Sequence, residues 1–453
     1  MKKVIILLIL LTTTISIAQE TDVDKKLEIE AKVTATGVFS NQDALPFWFY
    51  TNSNRTLGEE SSFAAVAEVN ATYKFGNASI EGGIAGYYRN NVNDEFQRRD
   101  LFARFKNTWL QVTLGAKSPE IVLDGLTTSN KNFLMSGNAR PLPGLLIEAS
   151  DPFKISKTFS LDWGIGHYVL NDDRYVDNTW VHYKRLRLIT KLDNKNTITA
   201  GIQHYAQWAG TSPTEGALDR GFNTFGDVFL ARKSDESSVA GERRNAIGNH
   251  LGSYFLQYEH SFDSGVFAFY HDHPFEDGSG TRLANFPDGI WGVSFEMAEK
   301  GFLNTIVYEY VDTSDQSGGT ADVSGADGYF GNNLYRSGWT YEDQVIGVPF
   351  ILLDPNVVQN GINSKFTSNR AQVHHLGASG SIKKFDWKVK GTYARFLGRF
   401  RVPFDPVLKN VFMYGSVEYS FNKFGNLKVF GGADLSNINS TTIGGGLTYL
   451  YKF

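Results

Sequence analysis

The chain has 453 residues, a formal charge of −4 and no cysteine. The missing cysteines exclude disulfide frameworks, thiolate metal sites and cysteine nucleophiles, and a mildly acidic balance gives no electrostatic reason to seek nucleic acid. A hydrophobic content of 42% with a mean hydropathy of −0.26 looks soluble, yet 14% aromatic residues and 45 glycines fit a chain that hides its hydrophobicity by alternating it.

Residues 1–18 read as a signal peptide. Met1-Lys2-Lys3 is a basic start, Val4 to Leu11 an apolar core, and Ser16-Ile17-Ala18 a small-residue cleavage site before Gln19. Losing Lys2 and Lys3 takes the charge from −4 to −6, and a residue other than cysteine at 19 argues against a lipid anchor. Residues 19–453 are then one domain. No later run reaches the roughly 20 apolar residues that a spanning helix needs.

Period-two alternation marks strands. Leu27, Ile29, Ala31, Val33, Ala35 and Gly37 oppose Glu28, Glu30, Lys32 and Thr34, and Phe63 to Phe75 alternates against Glu68, Asn70, Thr72 and Lys74. Trp387, Val389, Gly391 and Tyr393 oppose Lys388, Lys390 and Thr392, and Val411 to Phe421 opposes Ser416, Glu418 and Ser420. The closing segment places Ile443, Gly445, Leu447, Tyr449, Tyr451 and the terminal Phe453 on one face. A strand that ends on an aromatic in this way predicts an all-β fold, a transmembrane antiparallel β-barrel, because closed barrels and helices alone satisfy every backbone group in a bilayer.

Short polar turns fall near Gly76-Asn77, Lys106-Asn107, Ser156-Lys157, Asn194-Lys195-Asn196, Asp263-Ser264-Gly265, Glu299-Lys300-Gly301, Lys383-Lys384 and Asn422 to Asn426. These turns join nine hairpins into about 18 strands, an even count as bacterial barrels require. The other connections span residues 40–62, 90–97, 117–143, 170–179, 209–247, 273–289, 312–371, 398–408 and 435–441. Long loops on one side are expected to be extracellular and to carry specificity.

Enzyme motifs are missing: there is no nucleophile elbow, P-loop, zinc helix or thiol pair, so the chain is read as a non-enzyme without cofactor or metal. His271-Asp272-His273 offers two imidazoles on one strand face, a weak metal signal equally suited to a lumen lining, and His374-His375 points to opposite faces. Asp312, Asp315, Asp322 and Asp327 resemble a calcium loop in composition, but Ser314 and Gln316 break its spacing, leaving a solvated loop. Lumen charges Glu28, Glu30, Lys32, Glu68, Lys74, Lys388, Lys390 and Glu418 have mixed signs, which suits pairing across the interior. Aromatics near strand ends, Trp48 and Tyr50, Tyr205 to Trp208, Trp291, and Trp339 with Tyr341, fit either an interfacial girdle or stacking platforms for sugar rings. Arg336, Glu342 and Asp343 beside the last pair favour the platform, and Trp208, Trp339 and Tyr341 could meet above the barrel if their loops fold inward.

Leu45-Pro46-Phe47-Trp48, Leu126-Thr127-Thr128-Ser129, Met135 to Pro143 (Met-Ser-Gly-Asn-Ala-Arg-Pro-Leu-Pro), Tyr205 to Gly210, Asn332 to Tyr341 and Ile346 to Pro349 together resemble the capsule assembly Wzi-like outer-membrane proteins. The resemblance implies an 18-stranded barrel acting as a lectin that holds capsular or surface polysaccharide. Its partners are then that glycan, outer-membrane lipid, and the barrel insertion machinery reading the strand that ends in Phe453. It also implies a helical bundle near the periplasmic mouth, for which Gln19 to Lys26 is too short. Trp48, Tyr50, Trp208, Arg336, Trp339 and Tyr341 are the glycan-binding candidates. The alternatives are a porin or substrate channel, and a surface hydrolase built on His271 and Asp272.

Overall fold

In the computed structural model, residues 26–233, 246–318, 328–353 and 365–453 are described. Eighteen antiparallel strands form one closed barrel. They are β1 (Leu27–Ser40), β2 (Phe63–Phe75), β3 (Ala78–Arg89), β4 (Phe96–Lys106), β5 (Leu110–Ala116), β6 (Gly144–Ala149), β7 (Phe159–Leu170), β8 (Thr179–Lys191) and β9 (Asn196–Trp208). The circuit continues through β10 (Asn249–Phe262), β11 (Gly265–Phe275), β12 (Gly289–Met297), β13 (Thr305–Asp312), β14 (Arg370–Ile382), β15 (Phe385–Arg399), β16 (Val402–Ser420), β17 (Asn426–Ser436) and β18 (Thr442–Lys452). Each strand pairs with its sequence neighbours, and β18 pairs with β1 from Gly444 opposite Ser40 to Lys452 opposite Lys32, so no edge is left open. The extra two-residue strand Phe153–Lys154 extends the β6 position against β7.

The turns are as short as their composition demands. Gly76 turns between β2 and β3 at φ +53°, and Lys383 between β14 and β15 at φ +58°, the left-handed geometry of tight hairpins. At the opposite end β15 and β16 run on to Arg399 and Val402, so the expected 398–408 loop is mostly strand.

Alternation sorts side chains as expected. Leu27, Ile29, Phe39, Phe63, Ile84, Leu101, Leu188, Leu256, Val389, Leu447 and Tyr449 are exposed on the outer wall, where an apolar band faces lipid. Trp387 shares that face and donates through Nε1 to the Phe302 carbonyl at 3.0 Å. Inward charges pair across strands: Lys74 with Glu28 at 2.7 Å, Lys32 with Glu68 at 2.8 Å, and Arg185 with Glu148 and Asp162 at 3.2 and 3.0 Å. Among the described residues no helix is long and apolar enough to cross a membrane.

The hydrophobic core lies inside the barrel, towards the end carrying the longer connections. Phe47, Trp48, Phe133, Leu134, Trp339, Tyr341, Val348, Phe350 and Phe366 come from those connections and are buried together. They pack against inward Leu170, Val181, Tyr205, Leu251, Tyr270, Ile290, Val311, Val373, Phe396 and Phe412 of the wall. Burial of this much aromatic surface, at about 25 cal/mol per Å², holds the connections in the lumen as a plug.

Candidate functional site

The plug is keyed to the wall by buried polar groups. Trp48 donates through Nε1 to Thr392 Oγ1 at 3.0 Å, and Phe47 stacks on Phe350 and Phe412 with ring centroids 5.6 and 4.4 Å apart. Glu309 of β13 accepts the Thr128 N–H and the Tyr270 hydroxyl, both at 2.6 Å, and Asp272 of β11 accepts the Phe133 N–H at 2.7 Å. Near the opposite end, Asp124 accepts the Ser379 hydroxyl at 2.7 Å, so the 117–143 connection reaches far down the lumen.

The glycan-binding candidates expected above the barrel are placed otherwise. Trp339 is fully buried, donates through Nε1 to the Leu134 carbonyl at 2.6 Å and lies 5.2 Å from the Tyr205 ring. Tyr341 is fully buried, with its hydroxyl donating to Asn171 Oδ1 at 2.8 Å. Trp208 is buried too, but on the outer wall beside Trp180 and Phe225. The three therefore do not meet, because inward and outward positions of the wall separate them. Trp48 is buried in the plug, and Tyr50 half-buried beside it with its ring 6.2 Å from Phe47. Arg336 is half-buried, with its guanidinium over the Tyr175 ring at 4.6 Å.

The histidines follow strand parity. His271 and His273 point outward, not into the lumen, with His271 stacked on Trp291 at 3.6 Å. Asp272 points inward, so His271 and Asp272 stand on opposite faces of one strand and cannot act on one substrate. His374 faces out towards Tyr308 and Tyr310, while His375 faces in and bonds to Thr392 and the Leu126 carbonyl at 2.7 and 2.6 Å. Of the aspartates expected in a solvated loop, Asp312 accepts the Tyr310 hydroxyl at 2.6 Å and Asp315 takes a place beside Asp288, whereas Asp322 and Asp327 lie outside the described residues.

A second cluster went unnoticed in the sequence. Arg55 and Arg140 from the plug meet Arg89 and Arg98 at the loop ends of β3 and β4, with Tyr87 and Tyr341 between them. Arg89 donates to the Arg55 carbonyl at 2.8 Å, and Tyr87 donates to Gln97 at 2.6 Å. Arg140 ion-pairs with Glu342 and donates to the Tyr341 hydroxyl at 3.3 Å. The neighbouring Asp343 is taken by Lys365 at 2.6 Å. Burial holds the Arg55 guanidinium below its ordinary value; Tyr87, Asp343 and Glu342 oppose that effect and Arg140 adds to it. Cationic groups thus outnumber the carboxylate bonded into the cluster. Beneath it a cavity of about 170 Å³ is lined by Lys32, Ser53, Thr56, Glu68 and Arg99, large enough for a few waters at about 30 Å³ each. The one sequence signal was Arg140, inside the Ser-Gly-Asn-Ala-Arg-Pro segment.

The segments that carry the resemblance are the ones that touch one another here. Ser136 N–H donates to the Ile346 carbonyl at 2.8 Å, Asn138 Nδ2 to the Val345 carbonyl at 3.1 Å, and Val348 N–H to the Phe133 carbonyl at 3.0 Å. The Gly338 carbonyl accepts both Gln207 Nε2 and Arg174 at 3.1 Å. A model of the family described as capsule assembly protein Wzi matches residues 47–373. The chain belongs to the Wzi capsule assembly family. It is a capsule-assembly barrel of the outer membrane. No curated protein matches the chain. Among solved structures, Acinetobacter baumannii OccAB4 is 10% identical, with a TM-score of 0.50 over 95% of this chain and 99% of that one. Pseudomonas aeruginosa OccK5 (OpdH) is 10% identical, with a TM-score of 0.48 over 94% and 98%. At such identity the likeness to OccAB4 shows this Wzi-family member's barrel fold and nothing of its ligand.

Proposed function

We propose that this Wzi-family barrel retains polysaccharide at the mouth carrying its longer connections, that this mouth faces the cell exterior, and that the polymer is acidic. The observation that carries the reading is the cluster of half-buried Arg55, Arg98 and Arg140 around fully buried Arg89, in which Glu342 is the bonded carboxylate. Guanidinium forks match carboxylates and phosphates in two-point contacts. Tyr175 with Arg336 over its ring supplies a neighbouring aromatic and cation for a neutral sugar face. In this reading Trp48, Tyr50, Trp339 and Tyr341 act from below, holding the loops that present the mouth. Repetition along a polymer lets a weak site retain it through avidity.

The remaining parts serve delivery. Residues 1–18 direct export, and β18 presents its outward face and Phe453 to the insertion machinery. The alternative, a channel, requires the aromatic core of the plug to part.

Deleting the gene should leave polysaccharide synthesis intact and shift the product from the cell surface to the medium. Complementation with Arg55→Gln/Arg140→Gln should restore a heat-resistant barrel in the membrane but not surface retention. Full retention in the deletion strain overturns the reading.

A further inference from the structure

The outer wall at β8, β9 and β10 breaks its own apolar pattern. By register, outward Leu188, Ala200 and Leu256 share one level, and Leu186, Ile202 and Tyr254 the next. Towards the longer connections the following level carries Lys184 and His204, the one above it His182, Ala206 and His250, and the last Trp180 and Trp208. His167 of β7 stands opposite His182. Four imidazoles and an amine therefore occupy positions that continue a lipid-facing surface.

The helix Phe222–Leu230, from the connection between β9 and β10, lies over this patch. Val228 is fully buried against the wall. Phe225 places its ring 5.3 Å from His182 and 5.7 Å from Trp208, and Phe229 lies 5.1 Å from His182. Lys184 points its ammonium at the Phe229 ring from 4.6 Å and donates to the Phe229 carbonyl. His250 and His204 bond to each other at 2.9 Å. The polar patch is thus roofed by phenylalanine.

A second flank of the same helix is exposed among the described residues. Phe222 is 88% exposed and Leu230 52%. Positions 222, 226 and 230 succeed one another at i+4 and share a face, with Asn223 and Asp227 on the next. Arg220 precedes the helix, Arg232 and Lys233 follow it, and all three are exposed. An apolar flank continuous with a lipid-facing wall and bracketed by cations matches the chemistry of an interfacial helix.

We propose that Phe222–Leu230 is a membrane-interface helix. Its Phe222, Gly226 and Leu230 flank enters the acyl region of the adjoining leaflet, Arg220, Arg232 and Lys233 meet anionic lipid head groups, and its inner face keeps Lys184 and the histidines out of lipid. The proposal rests on the reading of the barrel as membrane-spanning and is independent of the glycan site.

Because the chain lacks cysteine, single spin labels report one position each. Gly226 suits the label, since a side chain added there meets nothing within 4 Å. The full chain would carry labels at Gly226→Cys, Asn223→Cys or Leu256→Cys in vesicles of phosphatidylcholine with phosphatidylglycerol. Relaxation by dissolved oxygen would be compared with relaxation by a water-soluble nickel chelate. Positions 226 and 256 should both favour oxygen and 223 nickel, and raising the phosphatidylglycerol fraction should drive 226 deeper, whereas inorganic phosphate should not. Nickel preference at 226 with oxygen preference at 256 overturns the helix proposal while leaving the barrel. Nickel preference at both removes the spanning wall and the proposal with it.

Discussion

Trp339→Ala isolates what holds the lumen shut. Its side chain is fully buried between the plug and the wall, and its indole N–H satisfies the Leu134 carbonyl. Truncating a buried aromatic of this size costs about 3–5 kcal/mol, and the stranded carbonyl adds roughly 1 kcal/mol or more. None of the barrel's ladder bonds is touched, so the loss falls on local opening of the plug rather than on the barrel. At about 1.4 kcal/mol per decade, a loss of about 4 kcal/mol raises the open population by nearly three decades. Trp339→Phe keeps most of the ring volume and should cost about a third as much. Planar-bilayer recordings supply the assay. Wild type should show little or no steady conductance and Trp339→Ala frequent transient openings, with Trp339→Phe between them and gel migration of unheated protein unchanged in all three. If Trp339→Ala stays as closed as wild type, and amide exchange across residues 328–353 does not accelerate, the aromatic core is not the lock.

Other outcomes follow from the same geometry. Gly338→Ala should loosen the plug without altering barrel insertion, because Gly338 sits at φ +69° and an added Cβ would lie 2.4 Å from the Phe330 carbonyl oxygen; amide exchange in the plug checks it. Glu309→Ala should strand the Thr128 N–H and free the 117–143 connection at a cost of about 1–3 kcal/mol, seen as new protease cleavage there. Trp387→Ala, on the lipid face, should lower the yield of folded barrel in vesicles while leaving conductance and glycan binding as in wild type. Unheated protein should migrate differently from boiled protein on a denaturing gel, since a closed barrel offers no edge from which to unravel.

The barrel was legible in the sequence because its signal is local. Alternation such as Phe63 to Phe75, and turn residues such as Gly76-Asn77, encode strand, face and register within a dozen residues. The fate of the aromatics was not legible. A tryptophan at a strand end has the same neighbours in sequence whether it faces in, as Trp339 does beneath its loop, or out, as Trp208 does. Only the packing of residues 328–353 inside the wall and of the helix Phe222–Leu230 outside it decides between them. Likewise Arg55, Arg89, Arg98 and Arg140 are scattered over two connections and two strands, and their convergence depends on long-range closure. The family segments fared better in combination than singly. Ser136, Asn138, Ile346 and Val348 are far apart in the chain and bonded in the fold.

The most direct test of the central claim is equilibrium binding of the purified barrel to the capsular polysaccharide of its own cell, measured across a range of salt. Surface and half-buried charge contacts weaken as the screening length falls from about 10 Å at 0.1 M to about 3 Å at 1 M. The account predicts binding that falls steeply with salt and that Arg55→Gln/Arg140→Gln reduces at least tenfold while the plug stays closed. Binding unchanged by salt and by that double variant, or no binding at low salt to a correctly inserted barrel, would contradict it.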